Sequence, residues 1–472
     1  MKNVIANKEY LSSLRELRFK VMGALVLVLL FTALAGGFVA FQTMKKEREM
    51  AQVEARETWL NQGEKNPHSA AHYGSFAFRP KSELSFFDFG VDSYVGSNVY
   101  LEAHRQNDAK FSAAQDSSSL IRFGEMTVAF VLQLLVPLLI IFLCFDAISK
   151  EKEEYTLKLM LSQGVSIQQV VWGKILGYSK ALSWIILPTL LLVFVLMIAG
   201  TEAGFTADSF LRFGLVLGIY CVYFFLFLAS SVLVSAYSAS SRNALLSLLG
   251  IWILACIILP KATANLGASV FEAPSNFEFR EAIKKDEANG IDGHNPSDKR
   301  FDALKKKVMA QYNVNSIEEL PVNFDAIAMQ EGEKYSSMVY STHFDRIEQI
   351  YQQQNAISAY SALVNPYMAV RNLSMGLAGS DYKTALGFQK YAETYRYQMV
   401  EMLNNYMRDF SKTGDWEKKA PAEIYAKMPE FDFKNPGIGQ VLSQQWIALL
   451  AMFLWVCLLV FAINNLSKRL TF

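Results

Sequence analysis

The chain has 472 residues, 52% of them hydrophobic, with a mean hydropathy of +0.17 and a formal net charge of +1. That is too apolar for an ordinary soluble enzyme and too charged for a chain held wholly in lipid. Nothing in the charge balance suggests a nucleic acid, and none is expected as a partner.

The first twenty residues are basic, and Tyr10, Leu14 and Leu17 fall at helical spacing, which predicts a short helix on the inner membrane surface. Six apolar runs follow at residues 21–41, 126–145, 181–200, 213–234, 244–260 and 444–463. Each is near the ~20 residues that cross ~30 Å of hydrocarbon. The first is longer than the apolar core of a secretory signal and lacks a small-x-small exit, so it reads as a retained anchor. Residues 45–59 lack Gly and Pro, which extends that first helix outward as a stalk.

Placing the amino terminus inside leaves thirteen Lys and Arg on the inner segments 1–20, 146–180, 235–243 and 464–472, and none on the short turn 201–209. Both termini are then cytoplasmic. The chain divides into residues 1–41 (surface helix and first span), 42–124 (external segment with the stalk), 125–260 (spans two to five, with the inner connection 146–180), 261–443 (second external segment) and 444–472 (last span and tail). The expected fold is an α-helical polytopic membrane protein with a large, mainly helical α(+β) extracytoplasmic domain. Cys144, Cys221, Cys256 and Cys457 all fall in the spans, so that domain depends on core packing, without disulfides or thiolate metal sites.

In the external segments, residues 66–78 (NPHSAAHYGSFAF) carry Pro67 and Gly74 and read as a packed turn followed by extended chain. Residues 261–443 alternate turn clusters at 273–276 and 292–296 with helices, the longest at 382–407. His68 and His72, four residues apart, are the candidate metal-ligating pair. The turn reading and the lack of a visible third ligand favour structural histidines, so no metal is expected. Glu83, Asp88 and Asp92 near Phe86, Phe87 and Phe89 read as folded surface. Asp146 reads as the solvated end of the second span or a contact with a partner on the inner side.

The most informative stretch is 146–180, AISKEKEEYTLKLMLSQGVSIQQVVWGKILG at its centre. Leu157 and Leu161 mark one amphipathic helix, Gly164 breaks it, and Ser166 with Gln169 forms a candidate capping box for the next. The succession Glu151, Glu153, Thr156, Leu157, Leu159, Leu161, Ser162, Val165, Ser166, Gly173, Lys174 resembles the second intracellular segment of ABC-2 type permeases. In that family the segment holds a coupling helix that docks into a groove on the ATPase. One departure is Tyr155, where the family often has Gly, a less permissive backbone. Residues 66–78, DGHNP at 292–296 and NPYMAVRNLSMGLAGSD at 365–381 resemble a bacterial subfamily with a large external domain. That subfamily includes relatives of the permease serving copper-site maturation in nitrous oxide reductase.

The resemblance implies six helices of ABC-2 exporter type in the bacterial inner membrane, working in export or mechanotransmission. It implies a second permease copy or sister permease, lipid around the spans, and ABC ATPase subunits that bind ATP and Mg. Coupling would fall to Glu153, Thr156, Leu157, Leu161, Gly164, Val165, Ser166, Gln169 and Lys174, with no cofactor or catalytic residue in this chain. In agreement, no GxxxxGK[ST] phosphate cradle occurs in the sequence. The alternative is a membrane-anchored envelope scaffold. A secondary transporter would need charges inside the spans or an inverted repeat, and an envelope enzyme a nucleophile with its base.

Overall fold

The computed structural model describes residues 1–110, 126–200, 206–291 and 298–466. Helix α1 (Lys2–Arg15) turns at Glu16 into α2 (Leu17–Leu60), followed by α3 (Pro67–Tyr73) and strands β1 (Ser75–Phe78) and β2 (Asn98–Leu101). The chain re-enters the bundle with α4 (Val128–Glu153), α5 (Thr156–Ser162), α6 (Ile167–Ala199), α7 (Ala207–Tyr237) and α8 (Ser241–Val270). Then come α9 (Asn276–Glu287), α10 (Lys299–Tyr312), α11 (Phe324–Ser361), α12 (Pro366–Ala378), α13 (Tyr382–Phe410), α14 (Ile438–Gln444) and α15 (Trp446–Asn464). Helices α2, α4, α6, α7, α8 and α15 are long and apolar enough to cross a membrane, and each overlaps one predicted run. The protein is a helical, multi-pass membrane protein.

Two of these helices contain a proline immediately after a π-helical turn. The turn Val131–Leu135 precedes Pro137, and the turn Leu254–Ile258 precedes Pro260. Proline has no N–H, so carbonyls a turn earlier lose their donor and need another in an apolar bundle. Tyr223 donates its hydroxyl to the Gln133 carbonyl at 2.8 Å, and Asn365 its side-chain amide to the Ala255 carbonyl at 2.7 Å. With those groups satisfied, α8 runs ten residues past the predicted span end at Pro260.

Helix α2 continues unbroken to Leu60, and its far end carries Trp59, which is buried and donates to the Tyr425 carbonyl at 3.0 Å. There it joins a second apolar core that includes Ala70, Ala77, Leu101, Phe388, Leu403 and Tyr425. β1 and β2 pair antiparallel, Ser75 opposite Leu101 through Phe78 opposite Asn98, and close one side of that core. Helices α11 and α13 supply the buried ion pair Glu333–Arg396, 2.5 Å apart.

Several expectations are corrected. Residues 67–73 form a helix instead of a turn, because Pro67 and Gly74 act as its start and stop, with Asn66 capping. Helix α12 lies in the predicted external segment yet is buried in the same apolar cluster as the spanning helices, packed on α7 and α15. At thirteen residues it is too short to read as a span. Asp88 is buried and accepts a hydrogen bond from Ser374, and Asp92 is paired with Arg79 at 2.8 Å and Lys81 at 2.5 Å, so neither is open surface. Asp146 is 3.2 Å from Arg18 of α2. The 292–296 cluster, with His294, lies outside the described residues.

Candidate functional site

The connection between the second and third spans is a clamp. The last turn of α4 ends at Glu153, and Tyr155 then takes a left-handed conformation, φ 57° and ψ 7°. This is the turn a glycine would make at lower cost. It reverses the chain into α5, whose first residue, Thr156, donates its hydroxyl to the Glu151 carboxylate. Leu157 is buried and seats α5 against the bundle, with Leu161 half-buried beside it.

The far end of α5 closes as a Schellman motif. Gly164, at φ 83°, donates to the Leu161 carbonyl at 3.0 Å, and the N–H of buried Val165 to Met160 at 3.3 Å. Ser166 and Gln169 form the predicted capping box, each side chain bonded to the other's amide at 3.2 Å. Five residues further on, Lys174 is 3% exposed, its Nζ 3.1 Å from Glu151 and 3.1 Å from Glu9.

Glu9 brings α1 into the site. Tyr178 donates to its carboxylate at 2.6 Å, and Lys8 reaches Glu151 at 3.4 Å. α1 packs lengthwise on the start of α6 instead of lying alone on a surface, because Gly173 and Gly177 give it room. A Cβ at Gly177 would lie 2.6 Å from Glu9 Cβ and 2.7 Å from the Ala6 carbonyl oxygen. The other ties reach α7 and α8. Ile148 and Ser149 donate their amides to Ser235 Oγ at 2.9 and 3.0 Å, and Lys152 bonds the Ala236 carbonyl at the end of α7. Glu153 accepts from the amide of Ser241 at 2.7 Å and so caps α8.

All nine residues expected in coupling fall in one connection; Glu153, Leu157 and Lys174 have packing or bonding partners beyond it, and Thr156 is bonded to Glu151 within it. What faces outward is a small ridge, with Tyr155 72% and Leu159 60% exposed one turn apart, and Ser162, Gln163, Gly164 and Ser166 exposed beyond them. Glu9 and Tyr178 were not anticipated. The signal for Glu9 was present, an acid in an otherwise basic leading helix one face away from the Gly173–Lys174 pair. His68 and His72 lie in the other part of the molecule, on α3.

Residues 276–434 match a family described as a Domain of unknown function (DUF3526). The match begins at α9, takes in the buried helix α12, and ends past α13. No curated protein matches the chain.

Proposed function

We propose that this chain is the membrane-spanning permease subunit of an ABC transporter in a bacterial inner membrane. It couples ATP hydrolysis on a separate ATPase subunit to export or force transmission. The observation that carries this reading is α5, a short helix fixed at both ends and exposing an apolar ridge at Tyr155 and Leu159. Exposed apolar residues on a rigid element suit docking into a partner's groove. The ties from this connection to α1, α6, α7 and α8 support coupling, because a push on α5 reaches several helices together. In this reading both termini and α5 are cytoplasmic, helices α9, α10, α11 and α13 are extracytoplasmic with α12 packed back on the bundle, and ATP and Mg belong to the partner.

The test is a mild-detergent purification of the tagged protein from its native host, with mass spectrometry and a vanadate-sensitive ATPase assay on the eluate. A Walker-containing ATPase is expected with the wild type and is expected to be lost with Leu159→Asp, which still inserts in the membrane. Reproducible absence of any such ATPase from the wild type would overturn the permease reading in favour of an anchored scaffold.

A further inference from the structure

Helix α3 places His68 and His72 one turn apart on one face, and their Nε2 atoms are 3.1 Å apart. The strand pairing returns the chain to the same place. β2 ends at Leu101 opposite Ser75, and Ala103 donates its amide to the Ala71 carbonyl of α3 at 3.1 Å. His104 follows in a left-handed turn, φ 63°, with its ring centroid 5.3 Å from that of His68 and 5.2 Å from that of His72. One nitrogen from each of the three rings lies within 4.8 Å of the others.

Behind them stands Glu333 of α11, whose side chain has no solvent exposure. Its Oε2 accepts from the His104 amide at 2.7 Å and lies 3.2 Å from His104 Nδ1. Arg396 holds the other carboxylate oxygen at 2.5 Å. A carboxylate on Nδ1 fixes the imidazole tautomer with Nε2 turned to ligation, the arrangement that orients metal-bound histidines. We propose that His68, His72 and His104 form a binding site for a divalent first-row ion that prefers imidazole, of the Zn(II) or Cu(II) kind, with Glu333 as the positioning residue for His104. Three nitrogens at 2.0–2.1 Å from a tetrahedral ion sit roughly 3.3 Å apart, so the His68–His72 pair is already near that spacing and His104 closes by at most about 1.5 Å. His72 is exposed, so the three rings lie at the surface, where an ion can reach them.

The inference is independent of the permease reading, since its readout is metal and not transport. The full chain, purified in detergent through a tag without histidines and stripped with EDTA, is titrated with Zn(II) by calorimetry. It is also titrated with Co(II), whose visible bands report tetrahedral nitrogen ligation. One equivalent is expected, lost in His72→Gln, a replacement at an exposed residue, and retained in His343→Gln, which alters a histidine of α11 paired with Asp286. Glu333→Gln should weaken binding by about 10- to 100-fold. Because Glu333 is buried, its result counts only where the variant melts as a folded protein. No stoichiometric binding to the wild type, or binding unchanged in His72→Gln, would overturn the proposal and leave the three rings as a hydrogen-bonded structural cluster.

Discussion

Lys174→Met tests whether one buried cation holds α1 to the spanning bundle. Lys174 is 3% exposed and bridges Glu9 and Glu151 at 3.1 Å each, so its removal leaves two carboxylates facing each other. Breaking a buried pair by deleting one partner costs about 3–5 kcal/mol. Here each acid keeps some support: Glu151 retains Lys8 at 3.4 Å and the Thr156 hydroxyl, and Glu9 retains Tyr178 at 2.6 Å. The low end, about 3 kcal/mol, is therefore expected. Adding Glu9→Gln removes one stranded charge and should recover part of the loss, a coupling of about 1–2 kcal/mol in the double-mutant cycle. Thermal unfolding in detergent, read by size-exclusion fluorescence, measures both, and limited trypsin digestion at Lys8 and Arg15 reports release of α1. If Lys174→Met melts as the wild type does and α1 stays protected, the polar bridge does not hold α1 and the packing at Gly173 and Gly177 is sufficient.

Gly177→Ala puts a methyl 2.6 Å from Glu9 Cβ and 2.7 Å from a backbone oxygen, which forces α1 to retreat. A loss of about 1–3 kcal/mol is expected in the same melting assay, and a neutral result would mean α1 repositions freely. Tyr155→Gly relieves a left-handed residue and should raise stability by about 1 kcal/mol; a lower melting temperature would show that the exposed ring contributes contacts that outweigh the strain. For Glu333, burial alone would raise the carboxyl, but the hydrogen bond from His104 and the charge of Arg396 outweigh it and hold it at about 2, against an ordinary 4.5. A depressed carboxyl stabilises the fold above its unfolded value and loses that contribution as the pH falls. In metal-free protein the gap between wild type and Glu333→Gln, on the order of 3 kcal/mol, should close between about pH 5 and pH 2, whereas a constant gap would refute the assignment.

The spans were legible because about twenty apolar residues in a row have few other uses. So were the capping box at Ser166 and Gln169 and the break at Gly164, whose signals are local. The limits of the helices were less so. Helix α6 runs unbroken from the capping box at Ser166 into an apolar run that begins fourteen residues after its first residue, and Lys174 between them is paired and buried. Helix α12 was hidden by its length, because its burial depends on α7 and α15 around it and not on its own composition. Pro67 and Gly74 punctuate a helix as readily as a turn, and choosing between them needed the Asn66 cap. The third histidine was beyond local reading altogether. His104 reaches His68 only through the pairing of β1 with β2, a register that two four-residue strands do not announce.

Helix α2 is a single element of 44 residues, about 66 Å from end to end at 1.5 Å per residue. Arg18 ties its base to Asp146 at 3.2 Å, and Trp59 ties its tip to the Tyr425 carbonyl at 3.0 Å. Bundle packing holds the helix as far as Phe41, and the stretch from there to Leu60, about 28 Å long, converts each degree of tilt into about 0.5 Å at the tip. Hydrogen bonds weaken within a few tenths of an ångström of stretch. The tip contact is thus a sensitive angular gauge: a rotation of about one degree, too slight to unseat a side chain in the bundle, is enough to make the Tyr425 segment follow or let go.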